Sequence, residues 1–185
     1  MINKLIKGTK LASEFCSDVS LRSISHNRIS SHDTHHFSAQ VCLNGKKIMR
    51  VQNDGRGGDN YYNLSKSSTP AQVLEVSRQA KSFCKRARKK DYDRILKEGS
   101  NTFSFIDLLV GSLANEQLTR DEMHKQLRKR MYVIEGSAVG NALLYGIAKR
   151  ASPINVKKIK EIEPELTIVN EFDEETQLKL WLTIN

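Results

Sequence analysis

The chain has 185 residues, of which 38% are hydrophobic and 28% charged. That make-up is globular and long enough to bury a core without disulfide staples, and it excludes a disordered or collagen-like chain. The formal net charge of +9 favours acidic partners such as nucleic acid or an acidic protein face. The excess is concentrated: residues 66–99 hold ten basic and four acidic side chains, whereas residues 151–185 hold four basic and seven acidic. Cys16, Cys42 and Cys84 are odd in number and far apart, with no CxxC. This speaks against a disulfide framework or structural zinc and for a reducing cytosol. The first sixteen residues lack the apolar stretch of a signal peptide, and no window approaches the roughly 18–20 apolar residues of a membrane span. A cytoplasmic protein with no membrane partner is the expectation.

In chain order, residues 18–30 alternate loosely, and residues 35–43 place Phe37, Ala39, Val41 and Leu43 on one face at a period of two, the mark of a half-buried strand. Asn44-Gly45 signals a two-residue hairpin. Ile48 to Val51 alternate again. Residues 18–53 therefore read as an antiparallel meander. Its closing sequence, Asn53-Asp54-Gly55-Arg56-Gly57-Gly58, packs together residue types that tolerate positive φ and forces a sharp turn.

The period then changes. Thr69-Pro70-Ala71-Gln72 offers a capping box with proline at the first helical position. The spacing predicts an amphipathic helix from about 70 to 91, with Val73, Val76, Ala80, Phe83, Cys84 and Ala87 on the apolar stripe. Arg78, Lys81, Lys85, Arg88 and Lys89 fall on the opposite side. Residues 102–116 predict a second helix, and the Thr119–Glu122 box a third, reaching about Arg130. Residues 131–135 read as a strand. Residues 136–151 suit either another strand or a glycine-broken helix. Ser152-Pro153 opens a helix carrying Ile159 and Ile162, and residues 165–185 suggest a hairpin turning at Asp173-Glu174-Glu175. The fold class expected is α+β: an N-terminal β-meander packed against an amphipathic helix, a helical middle and a C-terminal β-hairpin. A boundary near residue 99 would divide it into 1–99 and 100–185.

Four of the five histidines fall between His26 and His36, with Asp33 among them. Imidazole and carboxylate suit a borderline cation, so a metal-dependent hydrolase or nuclease using His26, His32, Asp33 and His36 is an alternative. In an extended chain, however, only His32 and His36 share a face, and no HxH or HExxH occurs, so a polar strand entry and no metal is the expectation. The glycine turn could cradle an anion, but it lacks the Lys-Ser/Thr of a P-loop and the GxGxxG spacing, so no cofactor is expected. No GxSxG or SxxK arrangement points to nucleophilic catalysis, and no catalytic residue is assigned.

The basic helix is the strongest functional signal. Cations at three- to four-residue spacing can reach successive phosphates. Arg78, Lys81, Lys85, Arg88 and Lys89, with Arg56 at the tip of the glycine turn, are the candidate partner-binding residues.

The run from Ser30 to Ala39, Gly45-Lys46, Asn53-Asp54-Gly55-Arg56-Gly57-Gly58 and Tyr62 resembles a set of small uncharacterised proteins encoded by bacteriophages, plasmids and other mobile elements. The likeness covers about a third of the chain and departs from the set at His32, where an acidic residue is usual. It implies a phage or mobile-element origin and no particular reaction. Small accessory proteins of such elements often bind and redirect host machinery, including defence complexes. The expectation is thus a non-enzymatic accessory protein that binds nucleic acid or an acidic host protein complex in the host cytoplasm. A third alternative is a structural or assembly protein that self-associates through sheet edges of the C-terminal hairpin.

Overall fold

The structure, a computed structural model, describes residues 2–27, 29–31, 33–99, 103–135, 142–147 and 150–184. Its elements in order are α1 (Ile2–Leu5), β1 (Val19–His26), β2 (His36–Leu43), β3 (Lys46–Asp54), β4 (Tyr61–Leu64), α2 (Pro70–Ala87), α3 (Lys89–Glu98), α4 (Ser104–Leu127), β5 (Met131–Glu135), β6 (Leu143–Ile147), α5 (Pro153–Ile162), β7 (Thr167–Ile168) and α6 (Glu174–Ile184). The class is α+β, as expected. Two compact units emerge, residues 11–116 and residues 1–10 with 117–185. The division falls within α4, and residue 99 lies inside the larger unit.

The larger unit is built on a four-stranded antiparallel meander in the order β1-β2-β3-β4. Asn44 and Gly45 join β2 to β3 with φ of 49° and 75°, the double left-handed geometry whose twist matches a hairpin. A register shift between Val41 and Cys42 adds a residue on one strand. The shift coincides with Val41, Cys42 and Leu43 all being buried in succession, where strict alternation would expose one of them. The meander continues past residue 53 into β4, which pairs with β3 through Val51 opposite Tyr62.

The capping box of α2 forms as the sequence predicts. The Thr69 amide donates to Gln72 Oε1 at 2.9 Å, and the Gln72 amide to Thr69 Oγ1 at 3.4 Å. Val76, Ala80, Phe83 and Cys84 are buried against Phe37, Val41, Met49, Ile106 and Val110 in one core. Full burial of such side chains is worth about 1.5–3 kcal/mol each. The predicted rod to residue 91 breaks at Arg88, whose φ of −130° and ψ of 53° end α2 and precede α3.

In the smaller unit, β6-β5-β7 form a second antiparallel sheet. The strand at 131–135 is present, and the ambiguous segment contains β6; residues 136–141 and 148–149 lie outside the described residues. β5 and β6, which pair antiparallel, come from residues 131–147 and not from the C-terminal segment; no hairpin forms among the described residues of 165–185. The last residues, expected to form a hairpin turning at Asp173-Glu174-Glu175, are instead the helix α6. Asp173 caps that helix, accepting from the Thr176 amide at 2.9 Å. Glu174 and Glu175 occupy its first turn, where the helix dipole favours anions. Leu178, Leu180 and Trp181 are buried. The self-association reading, which required strand edges there, loses its structural basis. The two helices expected over 102–130 are one, α4. No glycine or proline stops the chain near Thr119, and extending a helix is easier than nucleating a new one.

Candidate functional site

The glycine turn is assembled around one side chain. Asn53 is only 7% exposed. Its Oδ1 accepts from Thr34 Oγ1 and from the Gly55 amide, both at 2.8 Å. Its Nδ2 donates to the Gly58 carbonyl and to Asn60 Oδ1, both at 3.1 Å. The turn is thereby tied to the loop before β2, and the amides of Asp33 and Thr34 donate to the Gly55 carbonyl. Gly55 has φ of +78°, and a Cβ there would lie 2.4 Å from the Ser30 carbonyl oxygen and 2.9 Å from His36 Cβ. Only glycine fits, for conformation and for space alike.

Asn60 carries the network to α4. Its Nδ2 donates to Asp107 Oδ1 at 3.0 Å, and the Tyr62 hydroxyl donates to the same oxygen at 2.7 Å. Burial raises the Asp107 carboxyl above the ordinary carboxylate range, opposed by these two bonds. Burial, and then the Asp107 charge, drive the Tyr62 hydroxyl well above its usual value. Between this network and α4 lies a cavity of about 560 Å³.

The histidines next to it have side-chain partners, two in their own loop and one on α4. His36 Nδ1 lies 2.5 Å from Ser30 Oγ, His26 Nε2 lies 3.2 Å from Ser31 Oγ, and His35 Nε2 lies 3.2 Å from Asn115 Oδ1. The rings of His26 and His35 meet edge to face at 5.2 Å. His32 falls outside the described residues. Among the described residues, no group of three potential ligands is arranged to hold a metal ion. Burial lifts the thiols of Cys16 to about 11 and Cys84 to about 12, so neither is a ready nucleophile at neutral pH.

The basic residues occupy the exposed sides of α2 and α3. Arg78, Lys81, Lys85 and Lys89 are exposed, and Arg88 is half-buried at the break. Some are paired locally: Arg78 with Glu75 at 2.6 Å, Arg88 with Asp91 at 2.8 Å and Lys89 with Asp93 at 2.5 Å. Each pair is three or four residues apart, within one helix or across its cap. None involves the acidic C-terminal segment. Lys81 lies 5.8 Å from the Phe105 ring. Lys81, Lys85, Lys90 and Lys97 have no carboxylate partner among the described residues. Tyr92, two residues after Lys90, packs on Phe105 with ring centres 5.5 Å apart, which ties it to the core rather than offering it for base stacking. Arg56 is exposed at its turn, its amide donating to Asp54 Oδ1 at 3.0 Å. No hydrogen bond or ion pair among the described residues joins it to the helical cations.

Sequence reasoning placed the basic face and the glycine turn correctly as elements. It did not find Asp107, Asn60, Gly111 or Asn115 as parts of a cavity. Tyr62 is part of the motif and Asn60 lies just before it, but nothing local links either to Asp107. No protein-family model, curated protein or solved structure matches the chain.

Proposed function

We propose that this chain is a non-enzymatic accessory protein of phage or mobile-element type. It engages an acidic partner, nucleic acid or a nucleic-acid-handling host complex, through the exposed cations of α2 and α3, with Arg56 as a separate contact. Interference with a host defence complex is the biological outcome that this reading accommodates.

The observation that carries the reading is the charge left over after local pairing. Residues 78–97 hold nine Lys and Arg against two Asp, and four of those lysines have no carboxylate partner among the described residues. The remaining ion pairs are solvent-exposed, and such pairs contribute little and exchange readily for a phosphate. Dipole complementarity accounts for Lys85 and Arg86 in the last turn of α2. It accounts likewise for Lys97 in the last turn of α3, and not for Lys81 or Lys90. No helix among the described residues is long and apolar enough to cross a membrane.

The test is capture of partners from host lysate by the native chain and by a variant with Lys81, Lys85, Lys89 and Lys90 changed to Glu, with and without nuclease. Arg88 is left unchanged because it caps α2 and pairs with Asp91. The reading expects a partner held by the native chain and lost by the variant while its circular dichroism is unchanged. Nuclease sensitivity then identifies nucleic acid as the bridge. Equal capture by both chains would refute it.

A further inference from the structure

The cavity beside the glycine turn has features that the basic face does not explain. Its volume of about 560 Å³ lies within the range of roughly 300–1,000 Å³ that small-ligand sites occupy. Phe37, Leu108 and Ala114 give it an apolar lining, and Asp33, Asp59 and Asp107 bring three carboxylates. Among the described residues, no Lys or Arg lines it.

Two further observations separate it from a chance group of acids. The first is Gly111, inside α4. Glycine in a helix interior costs about 0.5–1 kcal/mol relative to alanine, and close packing is the usual reason to accept that cost. Here a Cβ would meet nothing within 4 Å. Gly111 lines the cavity, so its missing side chain leaves room rather than relieving a clash. The second is Asp107. The groups that reach it, the Tyr62 hydroxyl and the side chain and amide of Asn60, are all neutral, and among the described residues no Lys or Arg pairs with it. The wall opposite α4 is fixed in advance by the four bonds of Asn53, so the cavity exists before any ligand arrives.

We propose that this cavity binds an organic cation: a primary ammonium or guanidinium group carried on an apolar stem. The stem lies along Phe37, Leu108 and the opening left by Gly111. The cationic head meets Asp107, with Asp33 and Asp59 at the rim. The same chemistry is offered by a free small amine or guanidine and by a Lys or Arg side chain of a partner protein. The site is independent of the α2–α3 surface and takes the opposite charge.

The experiment titrates the isotope-labelled full chain at low salt and neutral pH, following its amide resonances. The probes are n-butylamine, n-butylguanidine, the neutral n-butylurea, and a blocked Ala-Arg-Ala peptide. The expected result is saturable shifts at Asn60, Gly111 and Asn115 with the cations. Butylurea should bind roughly tenfold more weakly or worse, the order expected for losing one charge-assisted bond. Gly111→Leu should abolish the shifts while keeping the native melting transition. The Asp33→Asn, Asp59→Asn double variant, which alters only exposed side chains, should weaken binding whether or not Gly111→Leu folds. Free butylguanidine binding as tightly as the peptide identifies a small-molecule ligand. A clear advantage for the peptide identifies a partner's side chain. No saturable shift with any cation, equal binding of butylurea, or undiminished binding by the double variant would overturn the proposal.

Discussion

Replacing Asn53 with Ala removes the centre of the glycine turn. Four hydrogen bonds disappear: two at Oδ1 from Thr34 and Gly55, and two from Nδ2 to Gly58 and Asn60. The Thr34 hydroxyl and the Gly58 carbonyl belong to exposed residues and can turn to water. The Gly55 amide is buried, and an orphaned buried donor costs about 1–3 kcal/mol, with about 0.5–1.5 kcal/mol for each further bond lost net. With partial replacement by water, the expected loss is about 3 kcal/mol. For a domain of this size that lowers the melting temperature of the larger unit by about 12–24 °C. Urea denaturation followed by circular dichroism measures it, with Asn53→Asp as the companion variant. The aspartate keeps the acceptor for Thr34 and Gly55 and loses only the two donated bonds, so it should fall between wild type and Ala. A loss under about 1 kcal/mol for the Ala variant would refute the view that this side chain holds the turn.

Gly55→Ala meets both a left-handed φ and the Ser30 carbonyl. It should destabilise by about 2–4 kcal/mol in the same assay, and a neutral outcome would contradict the described turn. Asp107 gives a pH prediction. Its carboxyl is raised by burial, so the folded chain holds that proton more tightly than the unfolded chain. The stability it contributes is full below the unfolded value and is lost as pH rises through the folded one. Asp107→Asn should therefore gain on wild type in melting temperature as pH rises through the carboxylate range, and the opposite trend would contradict the assignment. Cys16, Cys42 and Cys84 are all buried. A thiol reagent at neutral pH should label none of them until denaturant unfolds the chain, and fast labelling of the native protein would count against the packing described.

The parts of the fold that could be read from sequence are those whose signals are local. The Asn44-Gly45 hairpin and the Thr69 capping box each concern neighbours within four residues, and both form as expected. The C-terminal helix was misread because Leu178, Leu180, Leu182 and Ile184 alternate like a strand. Asp173 followed by Glu174 and Glu175 carried the competing helix-start signal, and Leu178 and Trp181 supplied the helical spacing. The break at Arg88 has no glycine or proline to announce it. The cavity was illegible for a different reason. Tyr62 and Asp107 are 45 residues apart, and nothing at either position signals the other. Conversely, the Asn-Asp-Gly-Arg-Gly-Gly motif was conspicuous, yet Asn53 and Gly55 are accounted for by building the turn itself. What the motif positions, rather than what it contains, is the cavity against α4.

The central claim is that the cations of α2 and α3 grip an acidic partner, and affinity for a labelled nucleic-acid duplex across a salt series tests it most directly. The logarithm of the association constant should fall linearly with the logarithm of salt, at about 0.9 per phosphate contacted. Changing Lys81, Lys85, Lys89 and Lys90 to Glu should weaken binding and make that slope shallower by roughly three to four units. A duplex affinity indifferent to salt, or the same slope for both chains with the fold intact, would contradict the account.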